Sequence, residues 1–138
     1  MKCRLHNPNH DLKSYWVDWS RLQPLWERNT FHPLSPSKLT RAYHALWFAD
    51  IDGPRSHFKI GAIWHQQQSG ALMFTNGRHR TLLLSTLTER IPLAIDDDAL
   101  QQQDVTRALL DPVKSSDILE LPPLPVLERS AFGWERKR

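Results

Sequence analysis

Apolar residues along this chain fall mostly into short runs separated by turn formers, with one longer stretch at helical spacing. Tyr15-Trp16-Val17 is a brief run bounded by polar residues and predicts a strand. Asp18 or Ser20 can then cap a helical segment carrying Leu22, Leu25 and Trp26, which Pro24 keeps broken or brief. The stretch SPSKLTRAYHALWFAD, residues 35–50, predicts a longer helix. Ser35 can cap it, Pro36 suits its first position, and Leu39, Ala42, Tyr43, Leu46 and Trp47 share one face. Residues 50–56 form a loop by their Asp-Gly-Pro content, FKIGAIW at 58–64 reads as a strand, and 65–70 as a connection.

The next segment alternates most clearly. Ala71-Leu72-Met73-Phe74 is a short apolar run, Asn76-Gly77 a turn, 78 to about 87 a helix through Leu83, Leu84 and Leu87, and RIPLAI a further strand. Asp96, Asp97 and Asp98 are placed as caps for one helix holding Ala99, Leu100, Val105, Ala108 and Leu109. The tail, about 121–138, is rich in proline and ends basic, so it is expected as an extended strap. Together these elements predict a single α/β (α+β) domain over residues 1–138, a small mixed sheet with helices around it.

Composition narrows the classes more than it names one. At 138 residues the chain can bury a core without disulfide or metal staples. Eighteen Lys and Arg against fifteen Asp and Glu give a formal charge of +3, far from a nucleic-acid coat. The single cysteine, Cys3, excludes an intramolecular disulfide and suits a reducing compartment, here read as cytoplasm. Near a chain end with no neighbouring histidine motif, it is not expected to be a reactive thiol. No segment approaches the roughly 20 apolar residues of a membrane-spanning helix, and none has the pattern of a cleaved leader. Most of the six tryptophans are expected in the core or at subunit contacts.

The chemistry concentrates in FTNGRHRT, residues 74–81. If Gly77 ends a strand and Arg78 opens a helix, the unpaired N–H groups of the first helical turn point where an anion can sit. Gly77 removes a Cβ from that approach, and a guanidinium can hold phosphate in a two-pronged way. Successive helical residues diverge by about 100°, so His79 and Arg80 are the expected contacts and Arg78 the rim. A second reading leaves no anion site: Arg78 or Arg80 pairs with Asp96, Asp97 or Glu89. Asp96 and Asp98 are also candidates for a hydrated divalent ion, although consecutive acids at a helix start commonly act as caps. His6, His10, His32, His44 and His57 show no His-x-x-x-His ligand pair with a supporting Glu and read as surface or packing residues. No Walker A sequence occurs.

The unit LMFTNGRHRTLLLSTLTERIPLAI resembles the signature segment of the plasmid fertility inhibition factor family in order, spacing and letters. More widely, Gly77-Arg78-His79-Arg80 is similar to the phosphate-binding turn of the ParB and sulfiredoxin fold, where such a segment opens a helix. The resemblance implies a ParB/sulfiredoxin-like domain of a bacterial cytoplasmic protein. It implies a protein that blocks conjugative transfer by binding a component of the transfer machinery, such as its coupling ATPase, without catalysis of its own. It also implies an alternative, an ATPase or nuclease holding ATP with magnesium through Gly77, Arg78, His79 and Arg80. Arg78 stands where sulfiredoxin has its reactive cysteine, which excludes sulfinic acid reduction. Asn76 stands where Asp is common, which removes a carboxylate that could hold metal or act as base. Salt-sensitive, weak DNA binding is a further expectation, though no basic helix is placed for a groove.

Overall fold

The computed structural model of the chain describes residues 2–27, 57–121, 127–130 and 133–136; for Glu27, His79 and the last two segments it describes the backbone alone. The helix expected at 35–50 and the loop at 50–56 lie outside the described residues, as does Trp47. The fold is mixed α+β, built on sheets of five and three strands with short helices.

Strand β1 (Lys2–His6) opens the chain, followed by β2 (Lys13–Asp18) and two one-turn helices, α1 (Trp19–Leu22) and α2 (Pro24–Glu27). Asp18 caps α1 by accepting from the Ser20 N–H at 3.1 Å, and Pro24 sits first in α2, where its missing N–H costs nothing. Strands β3 (His57–Lys59) and β4 (Gly61–His65) follow, then β5 (Leu72–Asn76), α3 (Arg78–Ser85) and β6 (Arg90–Ile95). Next come α4 (Asp97–Leu100), α5 (Gln103–Ala108), β7 (Leu109–Pro112) and β8 (Ile118–Glu120). The tail folds back on itself, with β9 (Leu127–Ser130) antiparallel to β10 (Gly133–Arg136).

The five-stranded sheet runs β5-β4-β6-β2-β7 and the three-stranded sheet β3-β1-β8. All pairings are antiparallel except β4 with β6 and β1 with β3. Strand β6 is central, and Ile91 through Ile95 are all buried, which is why RIPLAI is continuously apolar rather than alternating. Its Pro92 is tolerated because the β4 ladder begins only at Leu93.

FKIGAIW, expected as one strand, crosses between the two sheets at Ile60, whose N–H donates to the His6 carbonyl at 2.8 Å. The helix expected from Asp96 to Leu109 is likewise two, broken at an extended Gln102. The reason lies in the angle between its buried residues. Six residues separate Ala99 from Val105, about 240° around a continuous helix, so one straight helix cannot bury both against the same core. The break buries both.

Trp16, Val17, Leu22, Ile63, Leu83, Leu84, Ile91 and Leu93 form the main core, and α3 contributes its two adjacent leucines to it. Each such side chain contributes about 1.5–3 kcal/mol on full burial. Trp19, Trp26 and Phe74 stack in series at 5.2 and 5.0 Å, pinning α1 and α2 to β5. Cys3 is not at a loose end; it is buried in β1 against the same core. Trp64 departs from the tryptophan expectation, lying 37% exposed opposite Met73 at 40%.

Candidate functional site

The turn after β5 is built by two glycines from different elements. Gly77 has φ +75°, the left-handed conformation that side chains resist, and it immediately precedes α3. A Cβ on Gly77 would stand 2.6 Å from Gly61 Cα and 2.9 Å from an Arg80 guanidinium nitrogen. A Cβ on Gly61 would meet the Thr81 hydroxyl at 2.7 Å. The space freed at Gly77 is therefore filled by β4 and by Arg80, which folds back over its own helix start. Sequence reasoning assigned that space to a ligand and missed Gly61 altogether. The Gly-Ala step in IGAIW was its only local signal.

Arg80 is half-buried, and its Nε donates to the Lys59 carbonyl at 3.2 Å, which anchors the guanidinium between β3 and the turn. Burial draws its pKa down from the ordinary arginine value. Arginine stays protonated in proteins, so burial strips hydration from a charge that persists. Among the described residues, neither Arg78 nor Arg80 lies within ion-pair distance of a carboxylate. The ion pairs there join Lys2 to Glu120, Arg21 to Asp18, Arg90 to Asp111 and Arg107 to Asp104. The pairing of Arg78 or Arg80 with Asp96, Asp97 or Glu89 is not formed.

The start of α3 has no side-chain cap and no acid in its first turn. Arg78 and Arg80 there lie at the positive end of the helix dipole, an arrangement that costs about 0.3–1 kcal/mol per charge. Three features thus converge: free N–H groups, a desolvated guanidinium and a second arginine at intermediate exposure. All three are answered by one anion. The side chain of His79 lies outside what is described. Beneath the turn, the Thr81 hydroxyl is buried with no hydrogen-bond partner among the described residues. Beside it, Asn76 Nδ2 donates to Asn9 Oδ1 at 2.9 Å, tying the turn to the loop between β1 and β2.

Comparison with protein-family models, with curated proteins and with solved structures finds no match to this chain.

Asp96 and Asp98 are not part of this cluster. Strand β5 runs antiparallel to β4 and β6 parallel to it, so the turn that follows β5 and the turn that follows β6 lie at opposite ends of the sheet. Asp96 caps α4, its Oδ1 accepting from the Asp98 N–H at 2.9 Å, and Asp98 is exposed. Among the described residues no group of three or more His, Cys, Asp and Glu is placed to hold a metal ion. No helix there is long and apolar enough to cross a membrane.

The structure also gathers residues that the sequence left scattered. His6 and His57 approach with ring centroids 6.2 Å apart, His6 and His10 at 6.3 Å, beside Lys59, whose carbonyl anchors Arg80. Parallel pairing of β1 with β3 brings His57 to His6, and the loop after β1 brings His10 back to it.

Proposed function

We propose that this protein is a fertility inhibition factor, blocking conjugative DNA transfer by binding a component of the transfer machinery such as the coupling ATPase. The observation that carries the reading is the start of α3, where a desolvated Arg80, with no carboxylate partner among the described residues, stands on an uncapped helix end. Such an arrangement is held against its own electrostatics and suits a binding surface for acidic or phosphorylated groups. The exposed Trp64–Met73 pair, at the other end of the same β4–β5 hairpin, adds an apolar contact of the type enriched at interfaces. The binding role needs no catalytic group.

Two measurements test it together. Expression in a donor cell lowers the transfer frequency of a conjugative plasmid, and the purified protein retains that plasmid's coupling ATPase in a pull-down. Both effects weaken in Arg80→Ala. Unchanged transfer frequency and no retention of the ATPase would sink the proposal.

A second reading is favoured by the same turn: nucleotide binding, with the phosphates of ATP at the Arg80 guanidinium and the first N–H groups of α3, and magnesium carried by the nucleotide itself. Asp96 and Asp98 have no part in it, because they stand at the far end of the sheet. Hydrolysis measured alongside binding separates an ATPase from a protein that only holds nucleotide.

A further inference from the structure

The outward face of the three-stranded sheet carries a concentration of positive side chains that the small net charge of the chain conceals. Alternation along β1 buries Cys3 and exposes Lys2, Arg4 and His6; along β3 it buries Phe58 and exposes His57 and Lys59. The register sets Arg4 beside His57 and His6 beside Lys59. Among the described residues the acid on this face is Glu120 of β8, already held by Lys2 at 3.7 Å. Arg4 and Lys59 have no carboxylate partner there. Asp11 lies nearby in sequence, in the loop that brings His10 to His6.

We propose that this face binds single-stranded nucleic acid, with Arg4 and Lys59 on the phosphates and the imidazoles of His6 and His57 against the bases. Charge complementarity requires a polyanion. The planar rings interleaved with cations select a strand with exposed bases over an acidic peptide, which has no use for them. Rings exposed on a sheet face are suited to unstacked bases, which a single strand offers and a duplex does not. The surface adjoins the Gly77–Arg80 turn, since Arg80 donates to the Lys59 carbonyl, but its argument stands without the reading given to that turn.

The test is fluorescence anisotropy of a labelled oligothymidine of about 12 nucleotides, within the range such surfaces cover, titrated with the full chain at low salt. The Arg4→Glu/Lys59→Glu variant is expected to bind at least tenfold more weakly. Its log K against log salt slope is expected to be shallower by about 1.4, two phosphates at about 0.7 each. Should that variant fail to fold, as judged by circular dichroism, Arg4→Gln and Lys59→Gln singly each lower the slope by about half as much. His6→Ala/His57→Ala is expected to weaken binding severalfold through lost stacking.

No binding at low salt, unchanged affinity in the charge variants, or tighter binding of a duplex or of oligoglutamate overturns the proposal. Loss of binding in Arg80→Ala with the charge-reversed sheet unaffected also overturns it, while leaving the turn as an anion site. The converse result supports the sheet face and leaves the role of the turn to its own nucleotide titration.

Discussion

Two helices begin immediately after strands of the same sheet, one on each side of β4, and they begin in opposite ways. Helix α4 is capped by Asp96 and has Asp97 and Asp98 in its first turn, so its free N–H groups and dipole are answered by its own acids. Helix α3 starts on a left-handed glycine, has no cap and no acid, and carries Arg78 and Arg80 where acids are favoured. The first is a helix start completed within the protein. The second has neither a side-chain cap nor an acid in its first turn, and that difference separates a structural helix start from a candidate site.

The largest expected effect comes from closing the glycine contact at α3. Gly77→Ala is predicted to destabilise the fold by about 3 kcal/mol, combining left-handed strain with overpacking against Gly61. Urea unfolding measures it, and a loss below about 1 kcal/mol would mean that the two backbones can separate cheaply. Gly61→Ala is predicted to cost about 1–3 kcal/mol by forcing the buried Thr81 hydroxyl aside. Part of that loss returns in Gly61→Ala/Thr81→Ala, and strict additivity in the double-mutant cycle would deny the contact.

The legibility of the two starts follows from where their causes lie. Asn76-Gly77 and Asp96-Asp97-Asp98 were readable because a positive φ and a side-chain cap are requirements local to a few residues. RIPLAI was readable because a strand buried on both faces must be apolar throughout. Gly61 was not, since its need for a missing Cβ comes from a turn on another strand. Nor was the crossing at Ile60, because one apolar run serves equally as one strand or as two in different sheets. The break at Gln102 was hidden because helical spacing held on either side of it. The His6–His57 approach required the parallel pairing of strands distant in sequence. Of the site residues, the sequence placed Arg80 at the turn but not its anchor, the Lys59 carbonyl, and it placed no distance between the turn and Asp96.

Removing the cap at the other helix sharpens the contrast. Asp96→Ala is predicted to cost about 1 kcal/mol and to leave anion binding at α3 unchanged, as chemical unfolding and phosphate titration on one preparation would reveal. Any fall in anion affinity would mean that the two helix starts are coupled.

Asp117 gives a pH control away from both starts. The Lys114 N–H at 2.8 Å, followed by Trp16 Nε1 at 2.9 Å, holds its carboxyl below the ordinary aspartate value. A depressed folded-state pKa contributes stability that is present above the unfolded value, about 3.9, and is lost as pH falls through the folded one. The stability gap between wild type and Asp117→Asn should therefore be constant above about pH 5 and shrink on further acidification. A gap independent of pH down to about 2 would remove the carboxylate from the account.

The smallest effect is the most diagnostic in sign. Arg78→Glu gives α3 the acid that α4 already has. It is expected to raise stability by about 0.5 kcal/mol while weakening anion binding. A loss of stability would mean that Arg78 has a favourable partner in the folded protein.

The central claim, that the bare start of α3 holds an anion through Arg80, is met most directly by calorimetric titration of ATP, with and without magnesium, into wild type and Arg80→Ala. The account predicts saturable binding to wild type at about 1 mM or tighter and its loss in the variant. No binding to wild type at several-fold that concentration, or equal binding to both proteins, would contradict it.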